Sequence, residues 1–306
     1  MSEDGLFAGV DVFPDVAARA RYDGLVGLDD VKRRLLTEGT LLLRSSELED
    51  WSRKKHRGKV IGAVAELRDR TPLFVFGGDV GTGKTELAET FGSALAEQLK
   101  IRLTLYRLSL STRGTGRVGE MTGLIAAAFS KIEERLAGQA GADAPSSAAV
   151  LVIDEADALA QSRELAQMHH EDRAGVNALI RGISRVAAQR LPVLVVMCTN
   201  RTEALDPAVM RRAAAVFAFE RPNDEQRAAV LARGLEHVGI TDQELRELVS
   251  LTGATADRSY GFTYSDLRHR LIPAAVVDAF PDRPITTARL IELLVNTPPT
   301  APFSGT

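Results

Sequence analysis

The stretch Gly78-Asp79-Val80-Gly81-Thr82-Gly83-Lys84-Thr85 matches the pattern G-x-x-x-x-G-K-[ST] at every fixed position. The apolar run Leu73–Phe76 precedes it with the length of a strand, and the helical pattern Thr85–Leu99 follows it. Glycines in such a loop bring backbone N–H groups close to an anion, and the following helix directs its positive dipole end at the same place. The pattern therefore predicts a phosphate-binding P-loop near the start of an α/β fold.

Two side chains of this loop and two acidic residues further along predict the chemistry. We expect Lys84 to neutralise the β- and γ-phosphates of a nucleotide and Thr85 to offer its hydroxyl to Mg²⁺. Asp154 and Glu155 end the apolar run Val150–Ile153. Asp154 is predicted to hold the hydration shell of Mg²⁺ at the carboxyl end of a strand, and Glu155 to act as general base on the attacking water.

Polar residues follow a third strand pattern, Val193–Met197. Asn200 comes just after it, where an asparagine either forms a turn or positions water beside the γ-phosphate. Arg211 and Arg212 end a short helical stretch within Leu205–Arg212. They either complement the helix dipole or, in a ring ATPase, reach the γ-phosphate of a neighbouring subunit.

Strand and helix patterns alternate in the first two thirds of the chain, which predicts a parallel sheet covered by helices on both faces. Ile101–Leu108 and Ala215–Glu220 supply two further strand patterns. After Pro222 only helical periodicity remains. We therefore predict a leader over residues 1–22, an α/β domain over residues 23–221 and a small all-helical domain over residues 222–306.

The composition indicates the cellular compartment and the classes of partner that we expect. The chain has 306 residues, a formal net charge of −3 and one cysteine, Cys198, which favours a reducing, cytoplasmic environment. The N-terminus lacks the basic region of a signal peptide, and no apolar run reaches the ~20 residues of a membrane helix. The negative net charge argues against nucleic acid as the main partner. Only the basic stretch Trp51–Lys59 favours binding to nucleic acid.

The four blocks described above, in this order, resemble the AAA+ superfamily of P-loop NTPases. Tyr22–Lys32 looks like the adenine-side box of that superfamily, which assigns Val26 and Gly27 to nucleotide binding. The resemblance covers residues 22–280 and implies ATP and Mg²⁺ as cofactors, with the helical domain as a lid.

A closer likeness is to the pachytene-checkpoint ATPases. It is carried by the segments Ile101–Leu103, Ala128–Glu133, Val176–Ile180 and Gly261–Arg268. That family remodels HORMA-domain proteins as a hexameric ring, and its bacterial members accompany nucleotidyltransferases in CBASS anti-phage systems. The resemblance thus implies a homo-hexameric, ATP-hydrolysing remodeller with a HORMA-domain substrate.

Three features depart from the family pattern. Arg117-Val118-Gly119 occupies the place of an aromatic–aliphatic–glycine triplet in the central pore, so arginine replaces the aromatic residue. Ser265 stands where a sensor arginine is frequent, which leaves Arg268 as the candidate for that role. Only the leader precedes the predicted core, so substrate capture is expected to use another surface.

Other functions compete with this reading. A nucleic-acid-associated ATPase of the clamp-loader or helicase-loader type is the main alternative, beside a nucleotide-gated scaffold and a Rubisco-activase-type chaperone. Gly114–Gly119 fits G-x-G-x-x-G, yet no acidic ribose ligand follows at the spacing that a dinucleotide site needs. His169-His170-Glu171 is interpreted as part of a second pore loop rather than a metal site, because adjacent residues of a helix point apart.

Overall fold

The computed structural model describes residues 3–110, 120–159, 169–256 and 258–303. In this part of the chain six strands form one sheet in the order β1-β3-β4-β5-β2-β6. The strands are β1 (Gly9–Phe13), β2 (Leu73–Gly78), β3 (Arg102–Ser109), β4 (Ser147–Asp154), β5 (Val193–Thr199) and β6 (Ala215–Phe219). Each strand pattern predicted from the sequence is present, and β1 is an addition.

Thirteen α-helices accompany the sheet in the described residues. The first six are α1 (Glu3–Leu6), α2 (Val16–Asp23), α3 (Asp29–Leu43), α4 (Ser45–Lys55), α5 (Gly62–Arg68) and α6 (Lys84–Leu99). The remainder are α7 (Glu120–Leu136), α8 (His169–Ala188), α9 (Pro207–Met210), α10 (Asp224–Gly234), α11 (Asp242–Leu251), α12 (Ile272–Ala279) and α13 (Thr287–Asn296). A π-helical segment, Asp266–Leu271, leads directly into α12. None of these helices is both long and apolar enough to cross a membrane.

The centre of the sheet is parallel. β4 pairs with β3 and β5, and β5 pairs with β2, all in parallel register. Strand β4 therefore ends beside Ser109 of β3, and Thr199 of β5 ends beside Gly77 of β2. This register brings the carboxyl ends of the central strands to one edge of the sheet, which is where open α/β folds place their ligands.

Helices cover both faces of the sheet, as the alternating pattern predicts. On one face Phe129 of α7 packs so closely against α8 that a Cβ on Gly182 would lie 2.2 Å from its ring. On the other face a Cβ on Gly92 of α6 would lie 2.7 Å from the ring of Phe13 and 3.1 Å from Leu103. Strand residues alternate between the faces, so that Leu73 and its odd-numbered neighbours join the α7–α8 core.

The described residues cluster into two compact units. The first comprises Met1–Gly24, Asp30–Gly77 and Thr85–Ala218, and the second comprises Leu25–Asp29, Gly78–Lys84 and Phe219–Thr306. In the second unit α10, α11 and α13 enclose their own apolar core around Leu231, Leu248 and Leu290. Capping boxes start α10 at Asn223 and α11 at Thr241. The predicted fold class, a parallel sheet between helices followed by a small helical lid, is confirmed.

The first 22 residues contribute more than their sequence pattern shows. Strand β1 joins the sheet antiparallel to β3, and Phe7 and Phe13 are buried. β1 has only five residues and lies at the edge, with Val10 and Val12 half-exposed. Such a short, weakly alternating strand has no periodicity strong enough to recognise in a sequence.

Candidate nucleotide site

The predicted P-loop connects β2 to α6 and needs its glycines for two reasons. Gly78, Gly81 and Gly83 have φ angles of +149°, +73° and +97°, which side chains with a Cβ rarely adopt. A Cβ on Gly78 would also lie 1.9 Å from the carbonyl oxygen of Phe219, and one on Gly81 would lie 2.7 Å from Thr263 Oγ1. The glycines are therefore needed both for their positive φ angles and for the close packing of the loop.

Lys84 lies inside this loop and is only 6% exposed. Its Nζ donates to the carbonyl oxygens of Gly78 at 2.9 Å and Asp79 at 2.6 Å. Thr82 Oγ1 donates to the same Asp79 carbonyl at 2.7 Å. The ammonium group is thus held by the backbone of the anion-binding loop, where it would meet a phosphate group.

Leu25–Asp29, the middle of the segment assigned to the adenine side, belongs to the same compact unit as Gly78–Lys84 of the loop. Gly27 has a φ of +77°, and its carbonyl accepts from Gln226 Nε2 at 2.7 Å. Val26 packs against the helical core, and the nearest neighbour of a Cβ on Gly83 would be Leu28. The structure brings the box and the P-loop together in this unit.

The aromatic side chain of Tyr264 lies next to Gly27 of the adenine-side box. A Cβ on Gly27 would lie 2.7 Å from its hydroxyl oxygen. Burial, assisted by the negative charge of Asp29, raises the pKa of Tyr264 to about 12. The phenol therefore stays neutral over the physiological pH range and is available as a hydrogen-bond donor.

Thr85 and Asp154 lie together in the first unit, at the carboxyl end of β4. Thr85 Oγ1 donates to Asp154 Oδ1 over 3.4 Å, and the same oxygen accepts from the backbone N–H of Glu155 at 2.9 Å. A hydroxyl and a carboxylate are hard oxygen donors, and Mg²⁺ at nucleotide sites takes one or two such protein ligands with phosphates and water. The pair fits the predicted Mg²⁺ ligands.

Glu155 follows immediately in an uncommon backbone conformation. Its φ is +52°, in the left-handed region, and its side chain is exposed. Non-glycine residues in this region are strained and concentrate at functional sites. The hydrogen bond from its N–H to the Asp154 carboxylate stabilises this turn. The turn leaves the Glu155 carboxylate in contact with solvent, as a general base for water requires.

Asp157 is a residue of this edge that the sequence reasoning missed. Its carboxylate accepts a short hydrogen bond from Thr199 Oγ1 and a second, of 3.3 Å, from the backbone N–H of Asn200. Asp157 thereby ties the end of β5, where the predicted sensor Asn200 lies, to the turn after β4. A signal existed in the sequence, since Asp157 is the third acidic residue within the four positions that follow the apolar run Val150–Ile153.

A partly buried carboxyl group, that of Glu89, lies near this edge as well. Glu89 of α6 is partly buried, and desolvation raises its pKa above the ordinary value, opposed by Arg107 and Arg21. The negative charge of Asp154 contributes to the same increase.

Arg211 and Arg212 lie just after α9, which Asp206 caps by accepting from the N–H of Ala208 at 2.7 Å. Both side chains are exposed. Arg211 Nε donates to the carbonyl of Pro207 at 3.2 Å, and Arg212 Nη1 to that of Ala208 at 3.0 Å. These bonds orient the guanidinium groups on the surface of the first unit.

The remaining predicted residues fall into two groups. Arg268 is exposed on the π-helical segment, and the contact with the P-loop is instead made by the backbone N–H of Ser265, which donates to the Gly81 carbonyl at 3.1 Å. Arg117-Val118-Gly119 lies outside the described residues, as do the side chains of His169-His170-Glu171. Within the described part of the chain, no three His, Cys, Asp or Glu side chains gather as a metal site would require.

The chain is similar in sequence to known ATPases. The family model described as "ATPase family associated with various cellular activities (AAA)" matches residues 74–221. CD-NTase-associated protein 6 of Escherichia coli (strain MS 115-1) is 50% identical over 303 residues, covering 99% of this chain and 97% of that protein.

Two solved structures are similar over almost the whole length. A chain of the E. coli MS115-1 HORMA:CdnC:Trip13 complex superposes with a TM-score of 0.89 and 49% identity, over 97% of each chain. Rhizobiales Trip13 superposes with a TM-score of 0.75 and 42% identity, over 97% of this chain and 100% of its own.

Proposed function

Because this chain belongs to the AAA family of ATPases, in the group of CD-NTase-associated protein 6, we propose that it uses ATP hydrolysis to remodel a HORMA-domain protein. The observation that carries the proposal is the 49% identity and full-length superposition with a chain solved together with a HORMA protein. The proposed setting is the cytoplasm, and the proposed role is regulation of a CBASS anti-phage system.

Nucleotide binding is assigned to the P-loop and the adenine-side box. In this proposal the N–H groups of residues 78–84 and the ammonium of Lys84 bind the phosphates, and Val26 and Gly27 contact the adenine. Lys84 already lies within the loop, held by two carbonyl oxygens that a phosphate group would replace as its partners. Arg268 is proposed to reach the nucleotide from the exposed surface of the π-helical segment.

The chemistry is assigned to the ends of β4 and β5. Thr85 and Asp154 would hold Mg²⁺, which supplies charge neutralisation of the phosphates. Glu155 accepts a proton from the attacking water as the water oxygen forms its bond to the γ-phosphorus. The bond from the γ-phosphorus to the β–γ bridging oxygen breaks in the same step, and ADP leaves with that oxygen. Asn200 orients that water, and the hydrogen bond from its backbone to Asp157 fixes the position of Asn200.

Assembly is assigned to a homo-hexameric ring in which Arg212 acts on the nucleotide of a neighbouring subunit. Both candidate arginines are exposed, and their side chains donate hydrogen bonds to backbone carbonyls of α9. A guanidinium group keeps its charge and offers forked donors, which suits the γ-phosphate in the transition state. Arg117, Val118 and Gly119 are proposed to grip a segment of the substrate in the central pore.

The loader-type alternative receives little support. It rests on the basic stretch Trp51–Lys59, and the described structure pairs Arg53 of that stretch with Glu49 and Asp50 of its own helix. Such pairing lowers the net positive charge that a phosphate backbone would meet.

The test is conversion of a purified HORMA-domain partner between its closed and open states. We expect conversion with ATP and none with a non-hydrolysable analogue. Arg117→Ala and Val118→Ala are expected to keep basal ATP turnover and lose conversion, whereas Arg57→Ala, an exposed arginine on α4's C-terminal side, retains both. If the two pore variants convert the partner at the wild-type rate, the pore assignment is wrong. If the wild type turns over ATP and never converts the partner, the remodelling proposal is wrong.

A further inference from the structure

The phosphate-binding loop carries a carboxylate. Asp79 is its second residue, and its side chain is 19% exposed. Asp79 Oδ1 accepts from the backbone N–H of Val80 at 2.8 Å and from that of Phe303 at 3.2 Å. Asp79 Oδ2 accepts from Arg221 Nε at 2.6 Å, with Arg221 Nη2 also 2.6 Å away. One acidic side chain of an anion-binding loop is thus paired with one arginine.

The ion pair between Asp79 and Arg221 reduces an electrostatic repulsion at the phosphate site. A carboxylate next to a phosphate site repels the nucleotide, and the repulsion is larger in partly buried surroundings than in water. The Arg221 side chain is 14% exposed, so its charge is poorly screened by solvent. A half-buried arginine in contact with the carboxylate opposes the negative field of Asp79 at the phosphates.

Arg221 also connects the loop to a second segment of the same compact unit. Its Nη1 donates to the Gly261 carbonyl at 2.6 Å, and its guanidinium carbon lies 4.9 Å from the centre of the Tyr260 ring. Four residues after Gly261, the N–H of Ser265 donates to the Gly81 carbonyl of the loop. Arg221 therefore attaches the start of this segment to Asp79, and Ser265 attaches its end to Gly81.

We propose that Arg221 is a positioning residue for nucleotide binding, which neutralises Asp79 and fixes the P-loop against residues 260–265. This inference rests on the proposed binding of ATP at the P-loop. It predicts that the benefit of Arg221 grows with the phosphate charge of the nucleotide, in the order AMP, ADP, ATP. A merely structural contact would help all three equally.

The test is the affinity of purified variants for ATP, ADP and AMP, measured by calorimetry at low and high salt. Arg221→Gln leaves the Asp79 charge unpaired, and we expect ATP affinity to fall by about tenfold, with a smaller loss for ADP and the smallest for AMP. Asp79→Asn leaves the Arg221 charge unpaired and is expected to raise the preference for ATP over AMP. The double variant Asp79→Asn/Arg221→Gln is expected to return that preference close to the wild-type value.

The control is Arg289→Gln, which breaks an arginine–carboxylate pair with Asp278 in the same unit. It should leave the affinities for all three nucleotides unchanged. Equal losses of ATP, ADP and AMP in Arg221→Gln would overturn the inference, as would single variants that shift the ATP-to-AMP preference in the same direction. If Arg221→Gln does not fold, the ATP-over-AMP preference of Asp79→Asn tests the inference alone: an increase supports it, and an unchanged preference overturns it. A wild-type protein that binds no ATP contradicts the proposed function instead.

Discussion

The ends of β4 and β5 and the phosphate-binding loop obtain their geometry from different partners. At the strand ends the contacts join the turn after β4 to the end of β5, as when Asp157 accepts from Thr199 and Asn200. In the loop, the side chain of Asp79 is held by Arg221, which lies 142 residues further along the chain. Contacts at the edge of the sheet fix the ends of β4 and β5, whereas residues of the helical unit fix the phosphate-binding loop.

This difference separates binding from chemistry. In the proposed function, the backbone N–H groups of the loop and the Lys84 ammonium bind phosphates in every state of the reaction. The carboxylates of Asp154 and Glu155 at the strand ends are proposed to act on Mg²⁺ and water. Substitutions in the loop should therefore change nucleotide affinity, and substitutions at the strand ends should change turnover.

The largest effect is expected from Lys84→Ala. This substitution removes the ammonium group that lies within the loop, and we expect no measurable ATP binding. Fluorescent-nucleotide titration checks it, with Lys55→Ala, an exposed lysine of α4, as the matched control. An unchanged ATP affinity would remove the basis for assigning phosphate binding to this loop.

Arg212→Ala is expected to come next. We expect ATP affinity to be retained and turnover to fall by about 10³-fold, because an arginine acting on the γ-phosphate stabilises the transition state. Mixing Arg212→Ala with Glu155→Gln subunits should restore part of the turnover, since some interfaces then hold an intact Glu155 and an intact Arg212.

The same mixing experiment on Arg211→Ala distinguishes the two arginines. Restoration with Arg211→Ala and none with Arg212→Ala would transfer the role to Arg211. No restoration at any ratio, for either arginine, would contradict action across a subunit interface.

The smallest effect is expected from Asp157→Asn. The amide places an N–H group where the carboxylate accepts two hydrogen bonds, so one of the two partners loses its acceptor. We expect turnover to fall by about tenfold with ATP affinity unchanged, as for a lost positioning contact. Asp143→Asn, an exposed aspartate in the loop before β4, is the control. Unchanged turnover would show that Asn200 does not depend on Asp157.

The sequence predicts these two regions unequally. β4 and β5 were predictable because they are continuous apolar runs, buried on both faces and followed by polar residues. β1 was missed because it is a five-residue edge strand, and α4 and α5 because their few buried residues give weak periodicity.

In the candidate site, some residues were predictable from the sequence and others were not. Lys84, Thr85 and the acids after β4 follow from fixed motif spacing. The pairing of Asp79 with Arg221 does not, because a contact between distant chain positions has no signature in a single sequence. The Ser265 contact was likewise hidden, since it uses a backbone N–H rather than the side chain that the family pattern emphasises.

The most direct test of the account is a single-turnover measurement on Glu155→Gln beside the wild type, both saturated with ATP before Mg²⁺ is added. We predict equal ATP binding, and phosphate release slower by about 10²- to 10⁴-fold in Glu155→Gln, because the amide cannot accept the proton of the attacking water. Phosphate release at the wild-type rate would contradict the claim that the end of β4 carries the chemistry.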